Sequence, residues 1–252
     1  MRIILPSSDK MSTVQDAPEP EGLPVYLGQT EKILAWMRKQ PRKTLLTLWG
    51  GSKGIAKENL ERLNHMDLRQ GLTPAIYSYI GGVYRYMSVP LFEEKEIAYL
   101  QEHLRILSGF YGVLKPLDGV TPYRLPLGSK VKIGRSRDLF DFWGGRLYDK
   151  VRDESGVIIS LVSEAYERCM RRYLEENDRY ITIRFLELTS EGEAKGRAVM
   201  TRMAVGQMVR FMAEKKIEDP DKLKRFNYMG YRFNKKKSGD NHFVFERIGE
   251  SN

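Results

Sequence analysis

The chain has a single cysteine and only three histidines among its 252 residues. One cysteine, Cys169, excludes an internal disulfide and any thiolate cluster for zinc or an iron–sulfur centre. The histidines, His65, His103 and His242, lie far apart in the sequence, without the spacing of metal ligands. We therefore expect neither a stably bound metal nor another cofactor.

Long hydrophobic runs are also absent. The longest apolar runs, such as residues 157–162, fall far short of the roughly 18 residues that span a bilayer. The opening residues Met1–Pro6 have neither the length nor the cleavage site of a signal peptide. Hydrophobic residues make up 41% of the chain and aromatic residues 11%, which is too rich for a disordered protein. We expect a soluble, cytoplasmic protein with no membrane partner.

No repeat, low-complexity segment or shift in composition marks a domain boundary, so we predict a single domain over residues 1–252. Apolar runs and helical spacing alternate along the chain, which predicts an α/β (mixed α+β) fold. Strands are predicted at residues 2–5, 157–162 and 180–188, and helices at 30–38, 44–49, 56–63, 93–104, 163–175 and 197–215. Residues 107–126 are predicted to form a long loop, and residues 232–233 and 242–247 a terminal hairpin.

Positive charge is concentrated in two stretches of a chain whose formal net charge is +9. Residues 195–247 contain 14 Lys or Arg against 6 Asp or Glu, and residues 115–152 contain 9 against 4. Patterned positive charge is typical of proteins that bind a polyanion, usually nucleic acid. The alternative is that these side chains only solvate helix faces, and composition does not separate the two interpretations.

The local pattern with the clearest mechanism is the turn Gly50-Gly51-Ser52-Lys53-Gly54 between two short predicted helices. Glycines let backbone N–H groups approach a phosphate, the following helix adds its positive end, and Lys53 adds a full charge. This arrangement is that of a helix-hairpin-helix element, which holds the DNA backbone without reading its sequence. A plain glycine-rich connection between two helices is the alternative interpretation.

Two further segments carry candidate functional residues. Arg124, beside Tyr123 in the predicted long loop, could clamp a phosphate or stack on a base, whereas Asp118 in the same loop could simply bind backbone amides. Asp141 could act as a base with Trp143 as a stacking surface, although its apolar neighbours fit a packed helix better. Cys169 lies in a helical pattern that favours burial over reactivity.

Several long motifs together resemble the YaaA family, in the same order and at the same spacing over essentially the whole chain. They are residues 107–117 (LSGFYGVLKPL), 122–125 (PYRL), 138–144 (DLFDFWG) and 226–233 (FNYMGYRF), with 6–10 and 82–85 also similar. The resemblance implies a cytoplasmic protein that protects against peroxide stress and is linked to lower free intracellular iron and to DNA binding. It also implies a single α/β domain with a helix-hairpin-helix element and a positively charged cleft.

The resemblance places the turn at residues 50–54 where the family has its helix-hairpin-helix, and Lys10 where the family has a lysine after the first strand. The residues expected to bind DNA, selecting its structure rather than its sequence, are Lys10, Gly50, Gly51, Ser52, Lys53, Gly54, Arg85, Arg124, Arg202 and Arg210. Two positions depart from the family pattern: Val205 replaces a charged residue, and Ala165 a polar one.

The function expected is that of a DNA-binding protein of the peroxide stress response that is not an enzyme. The alternative is an enzyme that acts on a nucleobase or damaged nucleotide in DNA, with Lys10 or Asp141 as the catalytic candidates. Direct binding of iron is a weaker hypothesis, because no carboxylate-rich motif has the spacing of ligands.

Overall fold

The computed structural model describes residues 1–50, 52–188, 194–196 and 198–248. Over these ranges the helices are α1 (Leu27–Arg38), α2 (Arg42–Trp49), α3 (Lys53–His65), α4 (Ala75–Ser78), α5 (Gly82–Met87), α6 (Glu94–His103), α7 (Leu139–Trp143), α8 (Arg146–Val151), α9 (Glu164–Arg171) and α10 (Ala198–Lys215). Short 3₁₀ turns lie at Val89–Leu91, Pro220–Arg225, Tyr228–Gly230 and Lys235–Lys237.

The strands are β1 (Arg2–Pro6), β2 (Lys10–Met11), β3 (Thr73–Pro74), β4 (Tyr79–Ile80), β5 (Leu104–Ser108), β6 (Gly112–Leu114), β7 (Gly119–Val120), β8 (Val157–Ser160), β9 (Arg179–Leu188), β10 (Ala194–Lys195), β11 (Arg232–Phe233) and β12 (His242–Ile248). In the central sheet the order is β11-β12-β9-β8-β1-β5-β6, and β10 pairs with β9 off this path. The sheet is mixed: five parallel strands, from β12 to β5, lie between the antiparallel edge strands β11 and β6.

The middle of the sheet is apolar because parallel strands are covered on both faces. Ile3, Ile4 and Leu5 of β1 are fully buried, as are Ile158 and Ile159 of β8. Continuous apolar runs of this kind can be recognised in the sequence. The strands predicted at residues 2–5 and 157–162 are confirmed as β1 and β8, with ends that differ by at most two residues. The mixed α/β class and the terminal hairpin are confirmed as well.

The prediction of a long loop over residues 107–126 is wrong. β5 leads directly from α6 and pairs with β1, and the chain then turns at Gly109 into β6. A Cβ on Gly109 would lie 2.3 Å from the Leu125 carbonyl oxygen, so glycine is needed there for close backbone contact rather than for flexibility. The Gly and Pro content of this segment indicated a loop, whereas the segment is packed into the core.

Helices α5 and α10 touch through a glycine. A Cβ on Gly206 would lie 2.2 Å from the Val83 carbonyl oxygen and 2.9 Å from the Met87 backbone nitrogen. A Cβ on Gly82 would lie 3.2 Å from Cβ of Arg202. The two backbones are therefore in direct contact, and this contact fixes where the side chains of both helices lie.

Asp118 holds the turn before β7. Its carboxylate accepts a hydrogen bond from the Lys115 backbone N–H at 2.8 Å, and its backbone bridges to Gly22. The interpretation of Asp118 as a residue that binds backbone amides is therefore confirmed. Burial, only partly offset by that hydrogen bond, raises the pKa of Asp118 from 3.8 to about 6.

Among the described residues, no helix is both long and apolar enough to cross a membrane.

We expect Gly206→Ala to lower the free energy of unfolding by about 2–3 kcal/mol, because the added methyl group has to push α10 away from α5. Urea denaturation followed by circular dichroism measures this loss. Gly54→Ala is the matched control, since a Cβ there lies 3.7 Å from the Ser52 hydroxyl, an ordinary contact. Equal effects of the two substitutions would contradict the interpretation.

We also expect Asp118 to make stability depend on pH. Its folded pKa lies above the unfolded value, so the folded state favours the protonated acid, and this contribution to stability is lost as pH rises from about 4 to 6. Asp118→Asn stays neutral, and its free energy of unfolding relative to wild type should increase by up to about 3 kcal/mol between these limits. Chemical denaturation across that pH range tests this. The exposed Asp16→Asn serves as the control and should show no such trend.

Candidate functional site

A cavity of about 650 Å³ lies at the carboxyl end of β1 and is called the β1 cavity here. The chain leaves β1 at Pro6 and lines the cavity with residues 6–10, while residues 80–85 form another part of its wall. The carboxyl ends of parallel strands are where α/β sheets commonly place ligands, because the loops that follow the strands form a crevice there.

Among the residues that the structure describes, four cationic side chains from four separate segments line the β1 cavity. Lys10 begins β2, Arg85 lies on α5, Arg124 follows β7, and Arg202 lies on α10. All four were singled out from the sequence, and the structure brings them together. One carboxylate, Asp9, is also part of the lining.

Only one of these cations is paired with that carboxylate. Arg124 Nη2 lies 3.6 Å from the Asp9 carboxylate oxygen Oδ2, and Arg124 Nη1 donates to the Asp9 backbone carbonyl at 3.1 Å. Arg202 donates to the Ala198 carbonyl of its own helix. Within the part of the chain that the structure describes, Lys10, Arg85 and Arg202 have no carboxylate partner. The lining therefore carries an excess of positive charge.

A network of buried hydroxyl groups supports the loop after β1. The Tyr123 hydroxyl lies 2.6 Å from that of Ser108 at the end of β5 and 2.9 Å from that of Tyr79, and it also hydrogen-bonds with Ser7. Tyr84 donates to the Pro6 carbonyl at 3.0 Å. Burial raises the pKa of Tyr123 and of Tyr84 above that of an exposed tyrosine, so both stay protonated donors at neutral pH.

The connection between α2 and α3 is short and contains glycine. Gly50 ends α2 at φ 59° and ψ 179°, a conformation that is essentially restricted to glycine. Ser52 begins α3, and its hydroxyl accepts a hydrogen bond from the Ile55 backbone N–H. Lys53 and Gly54, in the first turn of α3, are exposed. Gly51 lies outside the described residues.

Arg124 connects this turn to the β1 cavity. Its Nε donates to the carbonyl of Trp49, the last residue of α2, at 2.6 Å, while its other nitrogens reach Asp9. The side chain is 18% exposed, so one guanidinium spans the two regions from a largely buried position. The turn and the cavity are therefore neighbouring parts of one surface.

Two of the candidate residues lie elsewhere. The Arg210 guanidinium pairs with Glu214 at 2.7 Å and lies over the Phe92 ring, and Arg210 is not part of the cavity lining. The Asp141 carboxylate accepts three hydrogen bonds from Arg137, two from the guanidinium at 2.6 and 3.2 Å and one from the backbone N–H at 3.4 Å. The hydrogen bond from Arg137 lowers the pKa of Asp141, and Asp141 does not line the β1 cavity.

Trp143 and Cys169 belong to the core. Trp143 is fully buried, and its indole nitrogen donates to the Gly109 carbonyl at 2.9 Å, so its ring offers no stacking surface. Burial raises the pKa of Cys169 to about 12. Both were interpreted from the sequence as packed residues, and this is confirmed.

Among the described residues, no group of three or more His, Cys, Asp and Glu side chains is arranged to hold a metal ion.

The two departures from the family pattern lie outside the cavity lining as well. Val205 is buried, 7% exposed, and Ala165 is exposed at the start of α9.

A second cavity of similar size, about 640 Å³, has the opposite charge. It is lined by four glutamates and one lysine, together with apolar side chains; the charged residues are Glu19, Glu21, Glu94, Glu102 and Lys115. Size does not distinguish the two cavities, but charge does, because an anion would be repelled from this one.

Sequence reasoning missed Ser108 and Tyr166. Ser108 ends the buried strand β5 and hydrogen-bonds with Tyr123 beneath the loop after β1, and Tyr166 of α9 lines the β1 cavity. A polar residue at the end of an apolar run was the available signal for Ser108, because strand ends meet at one edge of a parallel sheet. Nothing in the local sequence pointed to Tyr166.

Fold and site together define a mixed α/β domain in which the interior strand β1 ends at a cation-lined cavity. The chain belongs to the family described as "Peroxide stress protein YaaA", whose model matches residues 1–237. Relatives described as UPF0246 proteins cover nearly the whole chain. One from Agathobacter rectalis is 44% identical over 98% of this chain and 99% of its own length. Another, from Pediococcus pentosaceus, is 41% identical over 97% of each. A third, from Lachnoclostridium phytofermentans, is 40% identical over 100% of this chain and 98% of its own length.

We expect Tyr123→Phe to lower the free energy of unfolding by about 2–3 kcal/mol, because the buried hydroxyls of Ser108 and Tyr79 each lose a partner. Urea denaturation measures the loss. Tyr173→Phe is the control, since the half-buried Tyr173 hydroxyl makes no hydrogen bond to any residue that the structure describes. A loss no larger than that of the control would show that the network does not stabilise the fold.

Proposed function

We propose that this protein binds DNA through its phosphate backbone and thereby acts in protection against peroxide stress. Family membership supports the peroxide-stress part of the proposal. The DNA-binding part rests on one observation: Arg124 connects the end of α2, beside the exposed residues Gly50, Ser52 and Lys53, to the cation-lined β1 cavity.

The α2–turn–α3 segment would act as the helix-hairpin-helix element. Helix α3 has 13 residues, so its first turn presents unpaired backbone N–H groups and a partial positive charge. Gly50 carries no side chain that would keep a phosphate away, and the exposed Lys53 supplies a full charge beside these amides. Backbone amides and a lysine recognise phosphate without reading bases, which predicts weak sequence preference.

The β1 cavity would extend this contact. Lys10, Arg85 and Arg202 lack carboxylate partners in the described ranges, so their charge is available to a neighbouring polyanion. Arg124 would hold the turn against the loop after β1 and keep the two contact regions in register. Because phosphates bound by Lys and Arg release counterions, affinity should fall steeply as salt increases.

We expect Lys53→Glu to weaken duplex binding at least tenfold and to reduce the steepness of its salt dependence by roughly one phosphate contact or more. Fluorescence anisotropy with a labelled duplex, at salt concentrations from about 50 to 200 mM, measures both quantities. Lys95→Glu makes the same change of charge on α6, where Lys95 lies between Glu93 and Glu96, and should leave affinity nearly unchanged.

Two results would overturn the proposal. One is duplex affinity that does not change over the salt series, because phosphate contacts require such a change. The other is an equal loss of affinity in Lys53→Glu and Lys95→Glu, which would reflect net charge alone. Single-stranded and junction DNA, titrated in the same way, establish which DNA structure binds best.

A further inference from the structure

The β1 cavity has a size that suits a ligand much smaller than a duplex. Its volume of about 650 Å³ lies within the roughly 300–1,000 Å³ of pockets that enclose small molecules. The duplex itself cannot enter such a space, and only a single unit of a strand or a free small molecule can. The outer surface beside Arg124 can therefore contact a duplex, whereas the β1 cavity accepts only a small ligand or one nucleotide.

The charged groups of the cavity call for an anion with several oxygens. Arg85 and Arg202 each carry a planar guanidinium that matches phosphate with two parallel hydrogen bonds, and Lys10 adds a compact charge. All three lack a carboxylate partner in the described part of the chain. The cavity's own carboxylate, Asp9, is held by Arg124 and so does not neutralise them.

Two further groups of the cavity, Tyr166 and Asp9, are suited to parts of a ligand other than its phosphate. Tyr166 is half-buried in the lining, and a hydrogen bond between its hydroxyl and the Leu127 backbone fixes its ring. A fixed aromatic ring can stack on a planar base. The Asp9 carboxylate accepts hydrogen bonds from N–H or O–H groups. Nucleobases and sugars carry such groups, whereas inorganic phosphate has no flat ring to pack against Tyr166.

From the cavity's volume, its three cations without a carboxylate partner among the described residues, and the aromatic ring of Tyr166 in its wall, we propose that the β1 cavity binds one nucleoside monophosphate unit. Arg85, Arg202 and Lys10 hold the phosphate, Tyr166 packs against the base, and Asp9 accepts a hydrogen bond from the base or sugar. The inference rests on the proposed function, because DNA held at the α2–α3 turn is one source of that nucleotide. A free mononucleotide is the other source.

Isothermal titration calorimetry of the full chain tests the proposal without DNA. The probes are the four 2′-deoxynucleoside 5′-monophosphates, the corresponding nucleosides and inorganic phosphate. We expect at least one monophosphate to bind at least tenfold more tightly than its nucleoside and than phosphate, because only the monophosphate engages both halves of the cavity.

Substitutions then locate the binding. Arg202→Met on α10 and Arg85→Met on α5 should each weaken the monophosphate at least tenfold. Arg210→Met, on the same helix as Arg202 but outside the cavity, should change its affinity less than twofold. Tyr166→Leu should weaken the monophosphate while leaving the weaker binding of phosphate unchanged. Thermal melting of each variant shows whether it is folded, and the use of two arginines on different helices keeps the test valid if one variant unfolds.

A competition experiment identifies the source of the nucleotide. If saturating monophosphate displaces a bound single strand but not a duplex, the cavity takes a nucleotide from a strand. If it displaces neither, the occupant is free mononucleotide. Both results support the proposal that the β1 cavity binds a nucleotide.

Absence of binding by all four monophosphates to the wild-type protein would overturn the inference, even if the duplex still binds. Equal weakening by Arg210→Met and Arg202→Met would also overturn it. Conversely, monophosphate binding without any duplex binding would overturn the proposed function and leave the pocket standing, so the two failures are distinguishable.

Discussion

The direct contact of helices α5 and α10 is the constraint on which the site depends. Gly206 allows the two backbones to touch, and any side chain there would overlap the Val83 carbonyl. Helix α5 carries Arg85 and helix α10 carries Arg202, so the separation of the helices sets the separation of these two guanidinium groups. Like charges held near each other repel, and packing elsewhere in the core offsets that repulsion. Sites that bind anions are commonly built in this way.

The second structural support is the set of hydroxyl groups under the loop after β1. Tyr123 is held in the core between Ser108 and Tyr79, and it also reaches Ser7 at the edge of the cavity. A fully satisfied buried network of this kind restricts the positions of its members, because leaving any one hydroxyl unpaired is costly. The loop that carries Lys10 is thereby attached to a rigid base.

How far the sequence predicts this structure depends on the range of the interactions involved. Local patterns were sufficient for β1, β8 and β9 and for the long helices, because apolar periodicity and helix ends are encoded within a few residues. They failed for β5 and β6, where glycines serve close packing with Leu125 and Trp143 rather than a loop. The sequence predicted only part of the candidate site. Single residues such as Arg85 and Arg202 came from the family resemblance and from charge, but no local signal states that residues 10, 85, 124 and 202 converge.

Arg124 connects the end of α2 to the loop after β1. A single guanidinium bonds the last carbonyl of α2 and the backbone of Asp9, so neither region can shift without changing the hydrogen bonds of the other. For the ligands proposed above, a movement of Arg124 on binding in one region would change the affinity of the other, and coupling of this kind is reciprocal. Each ligand would then alter the affinity of the other by the same factor. The positions of the α2–α3 connection and of the Lys10 loop thus depend on each other through one side chain.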